Sequence, residues 1–205
     1  MSDFQAIADR VEIEALRGEF TDAVMTRDYD RGASLFTPDG VLRMPNVPVE
    51  LAGREQIRAG GARLQGLWDY FVQNTHPGMI QPDGDTACGR AYMHELARLR
   101  DGSSHLNYPI YHDRYQRTGD GWKFTERVYE VRYHDTSPLA GSAPAGGGAR
   151  QICAWSRPRA RAWSAMSLTS RSSPRWHASS PWSARCRSGA APLADLEQDR
   201  PGDRY

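Results

Sequence analysis

The sequence predicts an α+β domain. N-terminal helices cover one concave face of a curved, mostly antiparallel sheet, giving a cone-shaped α+β barrel. Three observations carry this prediction. Residues 3–26 hold apolar side chains at helical spacing (Phe4, Ile7, Val11, Ala15, Phe20, Val24), with charged residues on the other faces. Residues 86–100 and 107–133 are long runs of aromatic and β-branched residues at strand period. The helical patterns all come before these strands.

Taken in order, Asp3 is placed to cap the first helix. A second, shorter helix is expected from Asp28 to Phe36, ended by the turn tripeptide Pro38-Asp39-Gly40. Val41–Met44 reads as a short strand, and Pro45, Pro48 and Gly53 as a loop. Arg54–Leu64 reads as a third helix that Gly60-Gly61 weakens or breaks. Residues 68–81 read as a helix end or loop leading to a strand around Met79, with a turn at Pro82-Asp83-Gly84-Asp85. In the strand that follows, Ala91, Met93, Glu95, Ala97 and Leu99 share one face. Glu95 is the charged member of that apolar row, and a buried carboxylate needs a partner or a task. Thr118-Gly119-Asp120-Gly121 has the chemistry of a hairpin turn. Before it, Tyr111, Asp113 and Tyr115 share a face; after it, Thr125, Arg127, Tyr129 and Val131 do. Trp122 and Phe124 are expected in the core.

Charge divides the chain. Residues 1–148 carry 16 basic and 21 acidic side chains, and residues 149–205 carry 10 and 4. A net acidic main domain argues against nucleic-acid binding. Cys88, Cys153 and Cys186 have no metal-type spacing, and so sparse a set suits a reducing cytoplasm better than a disulfide scaffold. No signal pattern or membrane-length apolar run is present, so the expected location is cytoplasmic. The domain is expected to span residues 1–136. Residues 137–148 form a Gly/Pro/Ser-rich linker by composition. Residues 149–205 read as a frame-shifted translation, a disordered tail, or a basic-aromatic binding arm, and their loss is expected to leave the domain folded.

Several short segments, in their order and spacing, resemble the SnoaL-like branch of the nuclear transport factor 2-like superfamily. They are Arg27-Asp28-Tyr29-Asp30, Leu35-Phe36-Thr37-Pro38-Asp39-Gly40, Asn74-Thr75-His76, Asp83-Gly84-Asp85-Thr86-Ala87, Tyr111-His112-Asp113-Arg114-Tyr115, and Asp120-Gly121-Trp122-Lys123-Phe124 with Arg127. The resemblance covers about residues 1–140. The superfamily includes polyketide cyclases, dehydratases and a dehydrochlorinase. It implies the same cone fold, a homodimer or homotrimer, and no cofactor.

In dehydratase-like members, an Asp on the first helix orients a His that takes a proton from the substrate. The resemblance puts that His at His76 and the Asp position on Met25. Asp22, one turn earlier, and Glu95 are then the candidates to orient His76. Asp113 is a second candidate base, or an ion-pair partner of Arg127. Met25, Tyr111, Arg127 and Tyr129 are expected to line the substrate site, with Tyr111 and Arg127 steadying a developing oxyanion. No metal site is expected, because strand parity turns His94 and His112 away from the pocket face and no ligand-type spacing occurs.

Two main functions follow. One is a cofactor-independent lyase, isomerase or cyclase that abstracts a proton from a small hydrophobic ring compound. The other is a non-catalytic member that binds a small ligand or a protein partner, for which Met25 is a suitable wall. A third, an oxygenase small subunit, would need a large iron-containing partner. An apolar pocket with His76 pointing outward is the sign of the binding function.

Overall fold

The structure, a computed structural model, describes residues 3–142. The expectations for the tail at 149–205, with Cys153 and Cys186, and for the Asp3 cap lie outside what it describes. Three helices, α1 (Asp3–Thr26), α2 (Tyr29–Ser34) and α3 (Arg54–Gln65), precede or interrupt a seven-stranded sheet. Its strands are β1 (Phe36–Met44), β2 (Val49–Ala52), β3 (Trp68–His76), β4 (Ile80–Asp83), β5 (Thr86–Leu99), β6 (Ser104–Thr118) and β7 (Gly121–Asp135). The order is β2-β1-β7-β6-β5-β3, with β4 also paired to β5. All pairings are antiparallel except β1 with β7. The sheet is curved but not closed, and β2 and β3 form its edges.

The helices bury one face against this sheet. Ile13, Leu16, Phe20 and Ala23 of α1 meet Phe36, Tyr111, Tyr115 and Phe124 in the core. Phe20 stands edge-on to Phe36, Tyr111 and Phe124 at centroid distances of 6.0, 6.0 and 5.9 Å. Edge-to-face contact is the favoured arrangement for such rings.

Four local expectations are corrected. Helix α2 stops at Ser34, and Pro38-Asp39-Gly40 lies inside β1 rather than in a turn. The ladder to β7 shifts register between Phe36 and Val41, so Pro38 removes no needed hydrogen bond. The segment expected to be a Pro-rich loop contains β2, paired with β1. Helix α3 runs through Gly60-Gly61; a Cβ at Gly60 would lie 2.5 Å from Leu51 Cδ1, so glycine is what allows α3 to approach β2. Residues 68–76 form a full strand, β3.

The β6–β7 hairpin turns where expected, with Gly121 at φ +91°. A register shift pairs Arg114 with Glu126 and Tyr115 with Phe124, so Thr125 is the extra residue of a bulge. The bulge is why Trp122 and Phe124 point inward together with Arg127 and Tyr129. Residues 136–142 have no regular structure. Yet Arg98 donates to the carbonyls of Leu139 and Gly141, and Leu139 N–H donates to Ser104 Oγ (3.4 Å), so the start of the expected linker is tied to β5 and β6.

At the far end, Asp9 of α1 is fully buried and accepts from Arg117 of β6, from Gln5 (2.9 Å) and from the Trp122 indole (3.4 Å). Burial pushes its carboxyl up, but these donors outweigh that and hold it below the usual carboxylate range. A depressed folded value means stability that is present above the unfolded value near 3.8 and lost as pH falls through the folded value. Asp9→Asn is therefore expected to cost about 1 kcal/mol at pH 7 and nothing in strong acid. Urea unfolding at the two pH values checks this, and an equal cost at both would refute it.

Candidate functional site

The concave side of the sheet and the three helices enclose a cavity of about 90 Å³. Its wall is mostly apolar: Phe20, Ala23 and Val24 of α1, Leu42 and Met44 of β1, Leu51 of β2, Ile57 and Leu64 of α3. It reaches the surface beside Asp28, which is exposed, and Gly61. The polar side chains deepest in its wall are Gln65, Gln73 and Tyr111. Gln65 is satisfied, since its Nε2 donates to Val24 O (2.9 Å) and its Oε1 accepts from Tyr29 (3.3 Å).

Behind Gln73 and Tyr111 lies a buried polar cluster centred on Glu95. Glu95 accepts from Gln73 Nε2 (2.6 Å), from the Tyr129 hydroxyl and from Asn107. Loss of hydration is the largest influence and pushes its carboxyl above 4.5, against the pull of these three donors. Burial, with Glu95 beside it, likewise raises the Tyr129 phenol well above its ordinary range. Desolvation does the same for Tyr111, which meets Tyr129 edge-on at 5.4 Å.

A second buried cluster holds Asp113. Arg127 donates to it through Nε (2.8 Å) and Nη2 (3.0 Å), and Tyr115 donates to Oδ2 at 2.7 Å. Arg17 of α1 donates to the Tyr115 hydroxyl (2.8 Å) and stands 3.8 Å from Asp113. The Arg127 guanidinium lies 3.9, 4.2 and 4.4 Å from the ring centroids of Tyr111, Phe124 and Phe20. Asp113 and Arg127 thus neutralise each other, and neither lines the cavity.

Of the residues the sequence singled out, Tyr111 reaches the cavity wall. Glu95 and Tyr129 stand one layer behind it, and Asp113 and Arg127 form the ion pair. His76 does not join them. On β3, Gln73 is buried whereas Asn74 and His76 are exposed, so His76 faces outward at the strand end. Asp22 is 60% exposed and pairs with Arg31, which also holds Glu19 and Asp28. The expected pairing of His76 with Asp22 or Glu95 is therefore corrected: each carboxylate has other partners. Met25 packs against β3, where its Sδ accepts from Gln73 N–H (3.1 Å). The residue facing the Met25 position is thus Gln73, not His76. Gln73, Asn107 and Arg17 were not foreseen. Period-two reading would have found Gln73 had residues 68–76 been recognised as a strand. Among the described residues no group of three or more His, Cys, Asp or Glu could hold a metal ion. Nor, among them, is any helix long and apolar enough to cross a membrane.

Comparison with solved structures supports the fold. The chain is similar to hexachlorocyclohexane dehydrochlorinase LinA, at 26% identity and TM-score 0.64, covering 70% of this chain and 99% of that one. It is also similar to the LinA-type3 dehydrochlorinase of Novosphingobium barchaimii, at 24% identity and TM-score 0.62, with 69% and 97% covered. Among curated proteins, an uncharacterized protein of Mycobacterium tuberculosis is 26% identical over 60% of this chain and 84% of its own length. The SnoaL-like domain matches residues 5–128, more than half of the chain, and the protein therefore belongs to the SnoaL-like family, with the nuclear transport factor 2-like fold.

Proposed function

We propose that the domain binds a small, uncharged, largely apolar molecule in the cavity between the helices and the sheet. The observation that carries this reading is the composition of the wall. Where it is polar at depth it offers amides and a phenol, with no imidazole and no free carboxylate. A buried apolar cavity with a few fixed polar groups is the ordinary form of a small-molecule site. Met25, expected to line the site, is 40% exposed and lies outside the cavity wall, and its contact with Gln73 puts a thioether where an acid–base pair would need ionisable groups. In the same reading the chain acts in the cytoplasm as a homodimer or homotrimer and needs no cofactor.

The raised carboxyl of Glu95 favours a second reading. A desolvated carboxylate is a stronger base, and elimination or isomerisation of a ring compound needs one. Dehydrochlorination by the similar LinA structures belongs to this class of chemistry. Against it, all three donors around Glu95 engage its carboxyl, and Gln73 stands between it and the cavity.

One experiment separates the two. The full chain is titrated with benzene and phenol by NMR and incubated with hexachlorocyclohexane while chloride release is followed. Binding of the small rings, with chloride released at the buffer rate and His76→Ala indistinguishable from wild type, is the expected result. Chloride release that disappears in Glu95→Gln would replace it with the enzymatic reading.

A further inference from the structure

Resting on the binding reading above, we infer that the ligand carries a hydroxyl group: the cavity is built for a small alcohol or phenol, anchored between Gln73 and Tyr111. Gln73 is 4% exposed, and its Oε1 is buried without a hydrogen-bond partner. The amide cannot cure this by turning over, because Nε2 is committed to Glu95 Oε1 at 2.6 Å. A flip would set two acceptors, Oε1 and the carboxylate, against each other. An orphaned acceptor of this kind is rare in a folded interior, and where it lines a cavity it points to something that fills the cavity.

The second wall group is complementary. Tyr111, 3% exposed, brings a phenol O–H donor to the same wall. Burial beside Glu95 keeps Tyr111 protonated, so that donor is permanent. The cavity therefore presents one acceptor, Gln73 Oε1, and one donor, Tyr111 O–H, in an otherwise apolar wall. A hydroxyl answers both with a single atom. A ketone would satisfy Tyr111 and leave Gln73 orphaned; a hydrocarbon would satisfy neither. Size agrees with a small ligand, since a cavity of about 90 Å³ is somewhat smaller than the roughly 150 Å³ apolar cavity that takes up a benzene ring. The rest of a small ring would extend toward the opening beside Asp28 and Gly61.

Matched pairs test the assignment on the full chain: cyclohexanol against cyclohexanone, and phenol against benzene, each by NMR titration. The hydroxyl compound is expected to bind at least about 10-fold more tightly in each pair; Gln73→Leu should bring the cyclohexanol-to-cyclohexanone ratio near one and lower the phenol-to-benzene ratio without abolishing it, because phenol still accepts from Tyr111. Tyr111→Phe, which keeps the ring packing, should reduce the cyclohexanol affinity by a similar factor. The wild-type ratios decide the matter even if Gln73→Leu fails to fold. Equal affinities within each pair would overturn the hydroxyl assignment and leave the binding reading standing. No binding by any of the four would overturn both.

Discussion

Asp113→Ala is expected to destabilise the domain by about 3–5 kcal/mol, the largest effect of any single replacement in the site region. The side chains of Asp113, Arg127 and Arg17 are each at most 1% exposed. Removing the carboxylate would leave Arg127 charged and walled by Phe20, Tyr111 and Phe124, with no anion to offset its lost hydration. Ring faces attract a cation but do not replace two charge-assisted hydrogen bonds. Tyr115 would lose its acceptor as well. A double variant, Asp113→Leu with Arg127→Met, removes both charges at similar volume and should recover much of the loss, because a desolvated ion pair gains little over good packing. Urea unfolding of wild type, Asp113→Leu, Arg127→Met and the double variant closes the cycle, with Asp113→Ala measured beside it. A cost below about 1 kcal/mol for Asp113→Ala would mean the guanidinium is hydrated in the folded protein, and the reading of Asp113 as a structural partner would fall.

This pair shows what the sequence could and could not disclose. Strand parity alone put Tyr111, Asp113 and Tyr115 on one face, and all three are buried there. The same parity placed Glu95 in an apolar row, where it is indeed buried. Alternation over fifteen residues and a Gly-containing turn made the β6–β7 hairpin legible. Arg17 was not legible as a partner of Asp113. It lies on a helix 96 positions away, and an arginine on an amphipathic helix ordinarily reads as solvated. β3 was the costly omission. It is an edge strand whose exposed and buried residues do not alternate cleanly, so although aromatic and β-rich around Phe71 and Val72 it lacks the period-two pattern that announces a strand. Without a strand there was no parity, and parity is what distinguishes His76, facing out, from Gln73, facing in. The bulge at Thr125 has the same character. It changes which residues face inward, and only the pairing of β6 with β7 reveals it.

Glu95 is where the second large effect is expected, and its sign depends on the replacement. Glu95→Ala orphans two buried donors, on Gln73 and Tyr129, and opens a void, for a loss of about 3 kcal/mol. Glu95→Gln keeps the shape. Its amide oxygen accepts from Gln73, and the Tyr129 hydroxyl can rotate to accept from the new NH₂. It also removes the buried charge. Desolvation holds the folded carboxyl above its unfolded value of 4.5, so the stability linked to Glu95 is fully present below that value and is lost as pH rises through the folded one. The difference in stability between Glu95→Gln and wild type should therefore grow in favour of the variant from pH 4.5 upward and then level off. The balance should be most favourable to the variant at and above neutral pH. Taking the difference cancels carboxylates common to both proteins, Asp9 among them. Urea midpoints measured across this range provide the curve. A difference that does not change with pH would show that Glu95 titrates alike folded and unfolded. It would also take away the observation that favours proton-transfer chemistry at this site.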